Sequence, residues 1–442
     1  MTGAESAAIN EDADYRVLLG AADVMAHRPI DAYKALADPA LDGNADAQVW
    51  RVLAHEQMHN WLEVRRLMPD VETVLASYPL ALQTDINLAA AQASVEINDF
   101  ASATGYLSEI NPATISNERV ARYDLLRARI ADASGRTDEA LGYYDRVIKT
   151  APRPLAAEAE LRKLTQMKRD GVLDPVKGIE ALESLSSVWR GDETELKALG
   201  MLASLYVDKG RYRDAFTTMR SAMIAAPEDK TTRLIQDEMS TVFADLYLNG
   251  KADNMEPLAA LALYYDHRQL TPVGRRGDEM VRRLADRLVS VDLLEPAEEL
   301  LAHQVDNRLK GAARAEVAAD LAVIYLTDHK PAEALRTIHR TRQAQLPKTL
   351  ERRRRIVEAV ALGETGRADI ALDLLRSFVG ADVDRVRADV LWKGEQWQKG
   401  AEQIERMYGE SWSGDRALDD DQRFDVLRAA IGYALADDRI GL

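Results

Sequence analysis

The stretch Val52–Val64, VLAHEQMHNWLEV, carries His55, Glu56 and His59 in the order H-E-x-x-H. On one unbroken helix, residues four apart are neighbours. Both imidazoles could then hold a zinc ion while Glu56 takes a proton from its bound water. That chemistry needs a helix that runs through His59 and a third ligand. No G-x-x-H follows His59. Glu72 and Glu96 are the candidate third carboxylates, and neither has a supporting motif around it. The elements that carry His55 and His59 decide the matter.

The chain has 442 residues, 47% hydrophobic and 29% charged, so a folded protein is expected. Aromatics make up only 6%, and alanine and leucine recur throughout, which suits helices packed closely on small residues. A net charge of −16 argues against nucleic acid as a general partner. With no cysteine, disulfides, thiolate metal sites and cysteine nucleophiles are excluded. No window reaches the roughly 18 consecutive apolar residues of a membrane helix. The first residues, MTGAESAAINEDADYRV, lack the basic-then-apolar order of a signal peptide. Residues 1–12 read as a disordered end or tag remnant. The last residues, ALADDRIGL, stop straight after a helical pattern, as in a piece of a longer protein. No glycine-rich phosphate loop, nucleophile elbow or usable Ser/His/Asp arrangement is present, and no cofactor is expected. Asp419–Asp421 read as a helix cap, since their spacing does not alternate as calcium ligands do.

A repeat organises the rest. In Leu125–Pro152 a helix containing Ala128 and Ala131 ends at Gly135, and a second carries Ala140, Tyr144 and Ile148 before Pro152. Met201–Pro227 repeats the pattern with Ala203, Tyr206, Gly210, Ala215 and Met219. Further copies hold Asn98 and Ala103, His329 and Ala334, and Gly366 and Ala371. Ala103 to Ala140 and Ala334 to Ala371 are each one period of 37 residues. Weaker copies place Tyr33, Gly178, Ala297 and Gly400 at the small-residue position, and a helix pair around Leu246 and Leu258 fills the remaining gap.

These features resemble the tetratricopeptide repeat (TPR). The resemblance implies an all-α, TPR-like solenoid, a right-handed superhelix of about eleven helical hairpins closed by a helix near Asp420–Ala436. The expected organisation is a single continuous array over residues 13–442, with N-terminal repeats in 13–270 and C-terminal repeats in 271–442. In this register His59 falls where Gly135 and Gly210 end their helices, Trp61 matches Tyr212 and Val64 matches Ala215. His59 is then a turn residue and His55 a packed side chain.

Two basic clusters interrupt the acidic chain. Arg275 and Arg276 lie in a loop after Pro272, ahead of a helix that Asp278 could cap. Arg352, Arg353, Arg354 and Arg355 sit in what reads as a first helical turn, where cations oppose the helix dipole. Both read first as solvated or internally paired arginines, then as a site for an acidic peptide or anionic polymer. In TPR arrays the first helices line the inner wall. The register puts Arg122, Arg129, Lys197, Arg353 and Trp392 there as candidate partner contacts, with Arg275, Arg276, Arg352 and Arg355 beside them. The asparagines that complete the TPR carboxylate clamp are absent. Trp50, Trp61, Trp189, Trp397 and Trp412 read as packing residues.

The resemblance implies a non-catalytic scaffold with a protein or peptide in the groove. The last 170 or so residues, on the Pro272–Gly277 loop and the Gly432–Leu442 end, also look like the tail of large bacterial TPR proteins linked to the cell envelope. That likeness would imply a periplasmic role in envelope assembly or integrity; a cytoplasmic location is the alternative. An exopolysaccharide-secretion TPR region binding an anionic polymer is a second functional reading. A zinc hydrolase using His55, Glu56 and His59 is a third.

Overall fold

The computed structural model describes residues 12–409 and 418–441. Among these residues, 23 α-helices follow one another without a strand. Consecutive helices pair as hairpins: α1 (Ala13–Met25) with α2 (Pro29–Leu36), α3 (Ala45–Gln57) with α4 (Trp61–Glu72), α5 (Leu80–Glu96) with α6 (Phe100–Ser108), and α7 (Asn117–Ala133) with α8 (Thr137–Thr150). Then come α9 (Arg153–Arg169) with α10 (Pro175–Val188), α11 (Glu193–Asp208) with α12 (Tyr212–Ala225), and α13 (Lys230–Leu248) with α14 (Pro257–Asp266). The remainder are α15 (Arg275–Ser290) with α16 (Leu294–His303), α17 (Gly311–Thr327) with α18 (Pro331–Arg340), α19 (Lys348–Glu364) with α20 (Ala368–Leu375), α21 (Ala381–Lys393) with α22 (Trp397–Tyr408), and the closing α23 (Asp420–Leu435). This is the eleven-hairpin, all-α TPR-like solenoid that the period implies. Contacts divide the chain into two compact units, Met1–Asp237 and Glu238–Leu442, with the division inside α13.

The turns explain why the period is so legible. Ten of the eleven first helices, and the closing α23, end on a residue with positive φ: His27, His59, Asn98, Gly135, Gly171, Gly210, Asp292, His329, Gly366, Glu395 and, after α23, Asp437. In each case the next backbone N–H bonds back to a carbonyl of the last helical turn. Asn60 donates to the His55 carbonyl at 2.9 Å, Arg211 to Tyr206 at 2.8 Å and Lys330 to Tyr325 at 2.7 Å. These are Schellman turns, which satisfy otherwise orphaned carbonyls. Only the α13–α14 connection departs, through a short 3-10 segment after Gly250.

A left-handed backbone costs a non-glycine residue roughly 1–2 kcal/mol. Glu395 (φ 56°) is exposed. Replacing Glu395 by Gly is expected to raise stability by roughly 0.5–1 kcal/mol, after the extra unfolded-state entropy of glycine is subtracted. Glu395→Val should lower it. Urea midpoints of the two variants check the sign.

The helices close on small residues at the start of each second helix. Ala103, Ala140, Ala215, Ala297, Ala334 and Ala371 have no exposed surface. An added Cβ on Gly178 would lie 2.9 Å from Leu173 and 3.1 Å from Leu205. The first hairpin differs from the sequence expectation by one residue. Ala32 is fully buried at this position, whereas Tyr33 is exposed; counting from the left-handed His27, the seam falls on Ala32.

Two cap assignments also need comment. Asp419 caps α23 through a reciprocal bond with Gln422, as its position in LDDDQ implies. Asp278 does not cap α15: the helix starts at Arg275 behind the left-handed Gly274, and Asp278 lies in its first turn. Asp12 is the described end of the first segment, and its side chain accepts from Asp14 and Tyr15 to cap α1. The rest of residues 1–12, and Trp412, lie outside the described residues.

Candidate interaction surface

The H-E-x-x-H stretch is split by a turn. Helix α3 ends at Gln57, Met58 is its C-cap, and His59 takes φ 58°. The two imidazoles therefore do not share a helical face. His55 is buried, with Nδ1 3.3 Å from the Asn60 side-chain nitrogen and its ring edge-on to Tyr33 at 5.5 Å. His59 stacks on Trp61 at 5.1 Å. Glu56 is held by Arg122 at 2.8 Å. No group of three His, Asp or Glu side chains among the described residues is placed to hold a metal.

Tyr33, His55, His59, Asn60 and Trp61 instead border a cavity of about 840 Å³. Tyr33 and Leu36 of α2, Arg51 and His55 of α3 with its C-cap Met58, and Trp61, Leu62 and Arg66 of α4 line it. Arg51 is fixed away from the opening. Its guanidinium caps the end of α2 at the Leu36 carbonyl (2.6 and 2.9 Å) and reaches Asp42 at 2.8 Å. Arg66 pairs with Glu63 on the rim at 2.7 Å. Burial lowers the His55 pKa, with Glu63 acting against it and Arg66 and Arg51 with it. The imidazole is thus neutral at neutral pH, and an Asn60 amide that donates to Nδ1 leaves the proton on Nε2.

The sign of the pH effect follows. An unfolded histidine titrates near 6.5. A folded pKa below that value means the unfolded chain binds the proton first, so this stabilisation is present above about pH 6.5 and is lost as pH falls through the folded value. Wild type is expected to lose melting temperature between about pH 7 and 5.5, a window above the carboxylate range. His55→Gln should flatten that slope. Parallel slopes would rule out His55 as the titrating group.

The first helices form a wall within each unit. In unit one α1, α3, α5, α7, α9 and α11 each touch the next; in unit two α17, α19 and α21 do. Ion pairs lace this wall from one repeat to the next. Arg119 binds Asp85 through two bonds (2.6 and 2.7 Å), and Arg129 binds Glu96 at 2.7 Å. Arg122 reaches from α7 over α5 to Glu56 of α3. Burial works to raise the Glu96 pKa, but the bond from Arg129 and the charge of Arg162 outweigh it, and the net shift is downward. In unit two Arg353 meets Asp320 at 2.7 Å, Arg385 meets Asp425 at 3.0 Å and Arg428 meets Asp389 at 2.6 Å.

The candidate contacts read from sequence fall into three groups. Arg122, Arg129 and Arg353 lie on the wall, already matched by carboxylates of other repeats. Lys197 pairs within its own helix with Glu193 at 2.9 Å. Arg275 and Arg276 are exposed and make no ion pair among the described residues. Arg352 to Arg355 do not form one patch. They occupy the second turn of α19, not the first, and consecutive residues turn about 100° apart. Arg352 joins Asp382 and the Val379 carbonyl; Arg355 joins Glu358 at 3.0 Å. Arg354 is buried, with its guanidinium on the carbonyls of Ala315 (2.5 Å) and Ile338 (2.8 Å) and the hydroxyl of Thr341 (3.0 Å). Trp392 is half-buried, edge-on to Trp397 at 5.1 Å and beneath Arg428 at 4.8 Å. The buried Glu358, which also binds His339 (2.8 Å) and Arg342 (3.0 Å), was not read from sequence. Its pKa is raised by burial but lowered further by His339, Arg355 and Arg342. The acidic partners Asp85, Glu96 and Asp320 were also not singled out as wall contacts. Their signal is an arginine one repeat further on.

No protein-family model matches the sequence, and no curated protein matches it. Among solved structures, the apo form of the quorum sensor NprR from B. thuringiensis is similar over 83% of this chain and 98% of its own, at 12% identity and a TM-score of 0.36. Yeast Tom70 is similar over 97% of each chain, at 12% identity and 0.28. A tetratricopeptide repeat protein from Parabacteroides merdae covers 62% of this chain and 98% of its own, at 13% identity and 0.26. Identities and scores this low leave the architecture resting on the hairpins themselves. No helix among the described residues is long and apolar enough to cross a membrane.

Proposed function

We propose that this chain is a non-catalytic scaffold that holds a protein segment, with the cavity beside the His55–Trp61 turn as the anchoring point. The cavity itself is the observation that supports the reading. Its Tyr33, Leu36, Trp61 and Leu62 surfaces suit apolar side chains of a partner segment, several of which a volume of about 840 Å³ admits, and binding energy concentrates at such pockets. The wall arginines are already paired within the chain, so charge there positions the repeats and leaves selection to the cavity. The dispersal of Arg352–Arg355 gives an anionic polymer no common surface at that helix. A role in bacterial envelope assembly, in the periplasm, rests on the likeness of residues 271–442 alone, and cell fractionation of the native protein tests it.

A photocrosslinking amino acid at Leu62, an exposed cavity residue, tests the anchoring. The expected result is one dominant protein adduct in the source cell, absent when the crosslinker sits at the exposed Val188 and lost when Tyr33→Asp puts a charge in the cavity. The same adducts from both positions would dismiss the cavity.

A further inference from the structure

The cavity beside the His55–Trp61 turn carries one hydrogen-bond donor that nothing in the chain takes up. His55 lines the cavity and is only 7% exposed. Its Nδ1 accepts from Asn60 at 3.3 Å, so the proton stands on Nε2, and that N–H has no hydrogen-bond acceptor among the described residues. Asn60 is the N-cap residue of α4, a place where an asparagine side chain commonly closes the helix. Here it makes no cap bond and turns to the imidazole instead. The side chain suited to the helix end thus fixes the tautomer of a buried ring that borders the cavity.

The charges around the cavity cancel. Arg51 is paired with Asp42 and Arg66 with Glu63, and all four line it. A carboxylate entering there would give up its hydration for a site of no net charge. A purely apolar side chain would cover the Nε2–H and strand it, which weakens binding by roughly 5- to 150-fold. The occupant therefore has to bring a neutral acceptor on an apolar body. Tyrosine does so: its ring suits the Tyr33, Leu36, Trp61 and Leu62 surfaces, and its hydroxyl both accepts and donates. Tryptophan offers only a donor. The side-chain oxygen of Asn60, on the same cavity and without a bond in the chain, can take the hydroxyl's own proton. We propose that one of the partner's side chains in this cavity is a tyrosine whose hydroxyl accepts a hydrogen bond from His55 Nε2. The assignment rests on the cavity being the anchoring point, and it adds the chemistry of the residue held there.

Three probes that share a methylated ring test this on the whole chain: toluene, p-cresol and p-toluate. Binding is read from the methyl NMR signal of Met58, which lines the cavity and is assigned with Met58→Leu. A phenol gives up more hydration than toluene does, so it gains only where its hydroxyl finds a partner. p-Cresol is expected to bind about tenfold more tightly than either toluene or p-toluate. His55→Phe keeps a ring beside Tyr33 and removes the donor, so it should still bind toluene and lose the preference. Asn60→Ala, at an exposed position, should narrow the preference without altering the buried ring. Toluene binding as tightly as p-cresol, or p-toluate binding best, would overturn the tyrosine and leave the cavity as an anchoring point. A preference that survives in both variants would overturn the role of Nε2. A Met58 signal that moves with none of the probes would overturn the tyrosine and the anchoring point together.

Discussion

Replacing Arg354 by Leu is expected to destabilise the second unit by about 3 kcal/mol. The side chain is nearly inaccessible and holds two carbonyls and a hydroxyl from α17, α18 and Thr341. These acceptors keep other partners, the Ile338 carbonyl among them, but each loses a bond from a charged group, worth about 1.5–3 kcal/mol. The sum is reduced because the variant no longer buries a cation. That burial lowers the Arg354 pKa, with Glu358 acting to raise it and Arg342 and Arg355 to lower it further. Arg354→Lys should recover less than half of the loss, since an ammonium cannot reproduce the planar fork. Hydrogen exchange should quicken in α17–α19 and stay unchanged in α5–α7, because repeat stability is a nearest-neighbour sum. Exchange that quickens equally in both units, or not at all, would contradict this role.

Gly277→Ala is expected to cost a similar amount by a different route. An added Cβ would overlap the Pro272 carbonyl oxygen and lie 3.0 Å from Thr271 Cγ2. The first contact is with backbone, so no side-chain rotation relieves it; the Thr271–Gly274 loop has to move. Overpacking of this kind typically costs about 1–3 kcal/mol, and the upper end is expected here. The displaced loop carries Val273, 97% exposed, and leads into Arg275 and Arg276. Faster trypsin cleavage at these arginines, with a lowered urea midpoint, would show the displacement. Wild-type cleavage rates would refute it.

The hairpins were legible because their determinants are local. A left-handed residue ends each regular first helix and a small residue opens the second, so Gly135 with Ala140 and Gly210 with Ala215 announce the fold within a few positions. The same register correctly places His59 in a turn, against the enzyme-like spelling around it. Tyr33 was misplaced because the turn at His27 was not used to set that hairpin's register; Ala32 lies five residues after it, as Ala103 does after Asn98. The wall was harder to read. Arg119 finds Asp85 34 residues away, and no local pattern shows that meeting. The run Arg352–Arg355 misled in the opposite sense: adjacent letters diverge around a helix, and one of them, Arg354, points into the interior. The cavity at Tyr33 and Trp61 arises from three helices whose approach only the packed structure fixes.

The Schellman turns bear on how the chain is made. Each seals a helix with bonds to its own last turn, such as Arg367 to the Leu362 carbonyl. A nascent chain emerging at about 5–20 residues per second could finish a regular hairpin every few seconds. Each new hairpin would need only the one just completed to settle against. Synthesis in order would then meet few long-range searches, and a ribosome stalled partway would hold whole, closed hairpins rather than a collapsed tangle.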